Sequence, residues 1–571
     1  MRKRLIAGIL VTIMLMVSLV GCGKKAPSSS IMPKESPEIS DEGAKAVVED
    51  PITFTLFSSD GTAAQQWDDY ESTVSQKLKE LTGVTIDAEF AVGDPGEKIS
   101  LMVAGGDYSD FVYVQEYSNI LHGADGLIPL NDLIEEHMPN FKRVYAKDLA
   151  KLKWSNDDPN IYLFGTPEVN RTLVSPPNAF QLQHDVMKEL GYPKMETLED
   201  YEKAIRAYKE KYPTINGQPT IGLSILADDW RVKISTTNPA CFAAGGANDG
   251  EWHIDPDTYE AKVHVRGIEA EQKEYYGWLN RMSHEGLLDP ESMTQKYDDY
   301  QAKISSGRVL ALSDSKWEYE YAESALRETM PERMYGAYPI TINKDIPYIA
   351  ALRDEGYAGG WGIGITTNCK DPVRAAKFID FLCSEEAQTL RHWGIEGEHY
   401  LVDEKGKRYL TKEMKEAEKV AGFTKEEGPG LMGWPWPGYD NTYIDERGNA
   451  TSPLGDIEMQ MQDATDIEKE TLSKLGVKTW AELFPQADAI TPSDWGAAWL
   501  VNMPQDSEES VIMTRYDEIL RKYVAKLIMG APDQVDGTWD DMQKELVDIG
   551  IEKAEKMMTE LVKEKVELFK E

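Results

Sequence analysis

The chain has 571 residues with a formal net charge of −38, and it is 41% hydrophobic and 28% charged. That length exceeds one ordinary core and predicts two domains or lobes. The acidic balance argues against nucleic acid or anionic lipid as a partner, since both would be repelled, and it leaves a neutral ligand open.

The first thirty residues carry a targeting signal. Arg2, Lys3 and Arg4 form a positive start, and Leu5 to Val20 is an apolar run broken by Gly8, Thr12 and Ser18. The run falls short of the roughly 20 apolar residues that a membrane span needs, so it reads as a secretory signal. Leu19-Val20-Gly21-Cys22 resembles the lipobox of bacterial lipoproteins, which implies lipidation of Cys22 and anchoring outside a bacterial cell membrane. Cleavage before Cys22 removes Arg2, Lys3 and Arg4 and takes the charge from −38 to −41. Residues 22–50, rich in Ser, Pro, Lys and Glu, are expected to be a flexible tether.

Order begins at Ile52-Thr53-Phe54-Thr55-Leu56-Phe57, an alternating strand. A helix is expected from Asp68 to Leu81, with Tyr70, Val74, Leu78 and Leu81 on one face. Val84 to Phe90 reads as a second strand, Lys98 to Ala104 as a helix and Phe111 to Val114 as a third strand. Strand, helix, strand, helix, strand is the pattern of a parallel α/β sheet. Further on, Phe180 to Leu190 and Leu198 to Tyr212 read as helices, with Thr197 an N-cap for the second. Ile221 to Leu226 is a strand, Ala270 to His284 a helix, and Val309 to Leu312 and Gly362 to Thr366 are strands. Pro372 to Leu390 reads as one helix. From about 411 the chain turns helical and aromatic, and it closes on a long amphipathic helix, Asp540 to Phe569.

Catalytic motifs are absent: there is no GxSxG, HExxH or Walker sequence. His392 and His399 have a poor spacing for shared metal ligation. Cys241, Cys369 and Cys383 allow at most one disulfide, and none lies in a CxxC. The informative feature is aromatic. Of 14 tryptophans, several stand beside turn residues: Trp67, Trp230, Trp317, Trp361 in Gly359-Gly360-Trp361-Gly362, and the pair in Trp434-Pro435-Trp436-Pro437-Gly438-Tyr439. Sugar rings present an apolar C–H face, so flat indoles on loops suit them as stacking platforms, with carboxylates, Arg or Asn taking the hydroxyls. Trp393, Trp480, Trp495, Trp499 and Trp539 lie in helical or turn contexts that suit core packing.

Several stretches carry a family resemblance. They include Lys98 to Asp107 followed by Asp110, Gly126-Leu127-Ile128-Pro129-Leu130-Asn131-Asp132-Leu133-Ile134, Gly286-Leu287-Leu288-Asp289-Pro290 and Lys303 to Val309. The most specific are Ser384-Glu385-Glu386-Ala387-Gln388 and Gly394-Ile395-Glu396-Gly397-Glu398-His399-Tyr400, and Ile528-Met529-Gly530 with Trp539 adds to them. Together they resemble an extracellular solute-binding protein of a bacterial ABC importer, family 1 type, in the large lipoprotein branch that binds oligosaccharides.

That resemblance implies an α/β fold, two-lobed and periplasmic-binding-protein-like, with a hinge, a central cleft and a helical C-terminal extension. The expected divisions are a signal peptide at 1–21, a tether at 22–50, lobe 1 at 51–165 plus 356–420, and lobe 2 at 166–355 plus 421–571. The chain should cross near Tyr162 to Asn170 and return near Tyr348 to Trp361. Trp67 and Trp361 should then approach the ligand from lobe 1 or the hinge, and Trp230, Trp317, Trp434 and Trp436 from lobe 2. Asp60, Glu116 and Arg171 complete the expected ligand-binding set at strand ends. The implied protein is a monomer that captures an oligosaccharide and hands it to permease subunits. It needs no cofactor and no metal: the loop Tyr212 to Pro219, where relatives often carry a calcium loop, offers too few carboxylates. The alternatives are a peptide-binding receptor of an ABC importer and, with less support, a secreted carbohydrate-active hydrolase.

Overall fold

Strand β1 (Ile52–Ser58) starts the first sheet, its alternation turning Phe54 and Leu56 into the core. Helix α1 (Thr73–Thr82), β2 (Val84–Phe90), α2 (Pro95–Gly105) and β3 (Phe111–Tyr113) follow, and β1 pairs in parallel with both β2 and β3. The computed structural model describes residues 50–570 apart from 62–63, 65–66, 147, 167–177, 248–249, 350–360, 419–421, 486–492 and 505–506. The signal segment with Cys22, most of the tether, Arg171, the end of the first expected crossing and most of the second lie outside these residues.

Side chains set the helix starts. Ser72 Oγ accepts from the Ser75 N–H at 3.2 Å, and Asp94 accepts from the Gly96 N–H at 2.8 Å with Pro95 at the first helical position. Each such cap contributes about 1 kcal/mol. The helix expected from Asp68 begins later because the Asp68 carboxylate accepts from the Tyr70 and Ser72 N–H groups at 2.9 and 3.0 Å. Asp69 and Tyr70 in that loop have φ of 52° and 64°, which no α-helix allows.

Downstream come β4 (Leu163–Phe164), β5 (Asn178–Gln183), α3 (Leu198–Lys211), β6 (Ile221–Ser224), α4 (Glu269–His284), β7 (Val309–Ser315), α5 (Lys316–Thr329), β8 (Tyr335–Tyr338) and β9 (Ile363–Ile365). The first sheet has the order β2-β1-β3-β9-β4, with β9 antiparallel to β3 and β4. The second has the order β8-β5-β7-β6, with β7 parallel to β6 and antiparallel to β5. Each sheet lies in its own hydrophobic core, Phe54, Phe111, Ile363 and Phe378 in one and Phe180, Leu223, Tyr275 and Leu310 in the other. The two-lobed α/β reading stands.

Four expectations need correction. Phe180 to Gln183 is strand β5, not helix: Phe180, Gln181, Leu182 and Gln183 are all buried between β7 and β8, so packing on both sides overrides any helical period. The helix expected over 372–390 is two, α6 (Pro372–Leu382) and α7 (Glu385–Trp393), because Ser384 caps the second by accepting from the Ala387 N–H at 3.1 Å. After α8 (Asp466–Leu475) and α9 (Glu508–Met529), the closing helix is likewise split, into α10 (Val535–Asp548) and α11 (Ile551–Phe569), at Gly550 with φ of 84°.

The fourth concerns the passage to lobe 2 at residue 421. Met432 and Trp436 pack into the first lobe's core, and the Gly438 N–H donates to Tyr145 Oη at 3.0 Å. The chain reaches the second lobe only near α8, where Lys188 Nζ and Tyr192 Oη both bind Glu470. Beyond it, Asn280 on α4 donates to the Leu527 and Gly530 carbonyls, both at 2.8 Å, fixing α9 to the second lobe. The end of α11 reaches back across: Asn156 donates to the Glu564 carbonyl at 3.3 Å, and Lys151 sits 5.4 Å from the Phe569 ring centroid. Cys241, Cys369 and Cys383 are buried thiols.

Candidate ligand-binding cleft

Beyond the carboxyl ends of the parallel strands β6 and β7 of the second lobe stand Trp230, in the loop after β6, and Trp317, which lies not on a loop but in the first turn of α5 directly after β7. The two indoles lie nearly parallel, 6.0 Å between centroids and 13° apart, and are 48% and 49% exposed. Two large apolar rings side by side in water form a patch of the kind that binding surfaces use. Beneath them, the Arg231 guanidinium lies 4.8 Å from the Trp230 ring centroid and 4.7 Å from that of Tyr297. It donates to Asp229 at 2.6 Å and to Glu318, next in sequence to Trp317, at 3.1 Å. Burial pushes the Glu318 carboxyl up to about 7, and Arg231 opposes that rise. The pair is therefore braced by a partly buried ion pair rather than standing loose.

In the first lobe, the carboxyl ends of parallel β1 and β3 bring Ser59, Asp60, Gln115 and Glu116 together. Ser59 Oγ donates to Gln115 Oε1 at 2.9 Å, and Gln115 has φ of 48°, a sharp turn at the strand exit. Trp434, 46% exposed, donates Nε1–H to Tyr113 Oη at 2.9 Å. The loop bearing it is held by buried Arg391, which donates to the carbonyls of Met432 at 2.7 Å, Pro437 at 3.0 Å and Leu382 at 3.1 Å. Three carbonyls on one fully buried guanidinium fix that loop's shape.

A third set of contacts joins the lobes. Trp499 meets Trp361 edge to face at 5.2 Å and lies 6.5 Å from Trp434. Asn502 accepts from Trp361 Nε1–H at 3.2 Å and donates to Ser118 Oγ at 3.0 Å, while Asn119 donates to the Asn502 and Met503 carbonyls at 3.4 and 3.3 Å. Ala498, Val501 and Met503 belong to the second lobe's core, so this segment ties the lobes beside three indoles. Burial raises the Glu116 carboxyl above the usual range, and Lys233 of the second lobe, close behind Trp230, opposes the shift. The strand ends of the two sheets thus face one space, the position where open α/β sheets hold their ligands.

Among the expected site residues, Trp230, Trp317 and Trp434 present open faces and Trp361 is partly buried beside Trp499. Asp60 and Glu116 stand at strand ends. Two others are core residues. Trp67 is 7% exposed against Tyr70 and Phe90, and Trp436 is 3% exposed against Phe111 and Phe378. Both sit beside turns, but the turns fold their indoles inward under the first sheet. Trp434, expected from lobe 2, belongs to lobe 1, because its neighbours Met432 and Trp436 pack in that lobe's core and its own indole binds Tyr113. Trp499, expected in the core, lies at the junction, and its setting among small residues in Gly496-Ala497-Ala498-Trp499 was the signal available. Tyr113, Arg231, Lys233 and Asn502 have no sequence signature, because their roles arise from contacts between distant segments.

Residues 212–219 form a small hairpin, Thr214–Ile215 against Gln218–Pro219, and Asn216 at its tip points to the Ser306 carbonyl at 3.5 Å. Among the described residues, no three His, Cys, Asp or Glu side chains are grouped to hold a metal ion.

Comparison with known proteins adds ancestry. The family of bacterial extracellular solute-binding proteins matches residues 73–395. The fructooligosaccharide ABC transporter substrate-binding protein FusA of Streptococcus pneumoniae is 24% identical over 391 residues, 66% of this chain and 69% of FusA. The structure of S. pneumoniae FusA in complex with kestose shares the fold at a TM-score of 0.65 and 18% identity, covering 90% of this chain and 99% of that one. A solute-binding protein from Bifidobacterium longum infantis associated with a human-milk-oligosaccharide-binding ABC transporter gives 0.64 at 14% identity, covering 90% and 98%. The alginate-binding protein AlgQ2 without calcium gives 0.61 at 19%, covering 91% and 99%.

Proposed function

The chain belongs to the bacterial extracellular solute-binding proteins, and from that premise we propose that it captures an oligosaccharide between its lobes and delivers it to the permease of an ABC importer. The observation that carries this reading is the Trp230–Trp317 pair, exposed and nearly parallel at the carboxyl ends of β6 and β7. Such a platform offers two apolar faces to the C–H faces of sugar rings, while Glu116 and Asp60 across the cleft accept hydroxyl hydrogens. Trp434, Trp361 and Trp499 extend the aromatic lining toward the segment that ties the lobes. FusA, a relative over two thirds of the chain, is named for fructooligosaccharide, which supports the same ligand class.

On this reading the protein does no chemistry. Recognition is by stacking and hydrogen bonding, and lobe closure is the state the permease reads. The mature chain is held at the outer face of the cell membrane by lipid on Cys22, and it works as a monomer without cofactor. Intrinsic tryptophan fluorescence against fructan, xylan, arabinan, mannan and pectin fragments tests this, with dipeptides as controls and the sugar checked for integrity afterwards. The expected result is a saturable change with one sugar class and intact ligand. A response to dipeptides alone would favour a peptide receptor, and cleaved sugar would reveal a hydrolase.

A further inference from the structure

We infer that the cleft takes an oligosaccharide without acidic groups, so that uronate-, sialate- and sulfate-bearing sugars are turned away. This rests on the oligosaccharide reading and adds to it the sign of the site. The cations described beside the indoles are already engaged. Arg231 is shared by Asp229 at 2.6 Å and Glu318 at 3.1 Å. Lys233 is paired with Glu251 and with Asp517, the latter at 2.9 Å. Lys316, immediately before Trp317, is paired with Glu323.

The opposite wall repeats the sign. Asp60 and Glu116 stand at the exits of β1 and β3, and both add to the rise that burial gives the proton affinity of the Tyr113 phenol, which holds Trp434. Burial of Glu116 makes its charge costly, and a second anion nearby would raise that cost. An acidic sugar would have two courses in this space. It could draw Arg231 or Lys233 away, leaving a carboxylate such as the 1% exposed Glu318 unpaired. Otherwise its carboxylate would lie against Glu116 or Asp229, a like-charge contact that works as rejection. Uncharged sugars meet neither obstacle. Their hydroxyls donate, and carboxylates are acceptor-only groups with several lone pairs to offer.

Calorimetry on the full chain with matched sugar pairs tests this. The pairs are trigalacturonate and its carboxyl-reduced trimer, sialyllactose and lactose, and sulfated and plain lactose, run alongside neutral fructan, xylan, arabinan and mannan trimers. Saturable binding should be confined to uncharged sugars, with acidic members of any binding pair weaker by about thirtyfold or more. The affinity of the neutral ligand should change by less than about twofold between 20 and 500 mM NaCl, since no net charge is neutralised. An acidic sugar binding as tightly as its uncharged partner, or affinity falling steeply with salt, would overturn the inference and leave oligosaccharide capture standing. Absence of binding by every sugar would instead defeat the oligosaccharide reading itself, and the inference with it.

Discussion

Trp317 leans on Trp230, and Trp434 hangs from Tyr113, so each indole is held by one neighbour while its other face stays open. Trp317→Ala should weaken oligosaccharide binding by about tenfold or more, the worth of one lost stacking face plus its buried area. Trp434→Ala should do the same, whereas Trp436→Ala should lower the melting temperature, since its ring lies in the first lobe's core; paired titrations and thermal scans separate the two effects. A second residue-scale consequence lies beneath the platform. Burial pushes the Asp314 carboxyl up to about 8 and Glu318 up to about 7, each also raised by neighbouring carboxylates, while Tyr300 donates to Asp314 and Arg231 to Glu318. Both values exceed those of the unfolded chain, so between pH 6.5 and 7.5 the folded protein holds protons that the unfolded one has lost. Stability must then fall as pH rises through that window. The buried His184 and His264, pushed down by burial from 6.5 to about 4 and about 3, work the other way, because the unfolded chain still binds protons on them near pH 6.5; that opposition fades toward pH 7.5. From pH 6.5 to 7.5 the melting temperature of the natural protein should fall relative to that of Asp314→Asn, measured side by side in thermal scans; parallel profiles would refute the assignment. Of these residues, the exposed indoles were legible in the sequence because turns flank them. Trp67 and Trp436 were not separable from them, since a turn does not reveal which way it folds its side chain.

Elements were legible where local chemistry decides them. The capped helices α1, α2 and α3 and the alternating β1 follow from residues within a few positions of each end, Thr197 with Asp200 forming a capping box on α3. Strand β5 was not legible, because Phe180 to Gln183 is a strand only by virtue of β7 and β8 on either side. The division of 372–393 turns on Ser384 taking a cap position ahead of Glu385 and Glu386, where a continuous helical period masks the break. The loop bearing Trp434 depends on one distant group: Arg391 binds its Met432 and Pro437 carbonyls and ties them to the Leu382 carbonyl at the end of α6. Arg391→Met should destabilise the protein by about 3 kcal/mol, because buried carbonyls are left without donors. Arg391→Lys, with fewer hydrogens in a different geometry, should recover only part of this in calorimetric unfolding. Equal stability of the methionine variant and the natural protein would show that the loop is held by other contacts.

At the scale of the whole molecule, two sheets and two cores were foreseeable from length and from the repeated strand–helix alternation. The route of the chain between them was not. Residues 422 to about 460 stay with the first lobe through Met432, Trp436 and Gly438, and α11 ends against Asn156 and Lys151 of that lobe. Contacts so far apart in sequence leave no periodic trace. Segment 498–503, with Asn502 bridging Trp361 and Ser118, places a fastening between the lobes beside the indoles, so on the proposed reading a ligand would touch the region that sets lobe position. The hairpin at 214–219 should hold no calcium: adding calcium or a chelator should leave the melting temperature within about 1 °C, whereas a specific site would raise it by mass action. The most direct measurement is a crystal structure of the protein with the oligosaccharide that binds it best. The expected result is a sugar ring lying flat on Trp317 or Trp230 with its chain running toward Trp434 and hydroxyls on Glu116 or Asp60. A sugar bound elsewhere, with those indoles bare, would contradict the assignment of the cleft.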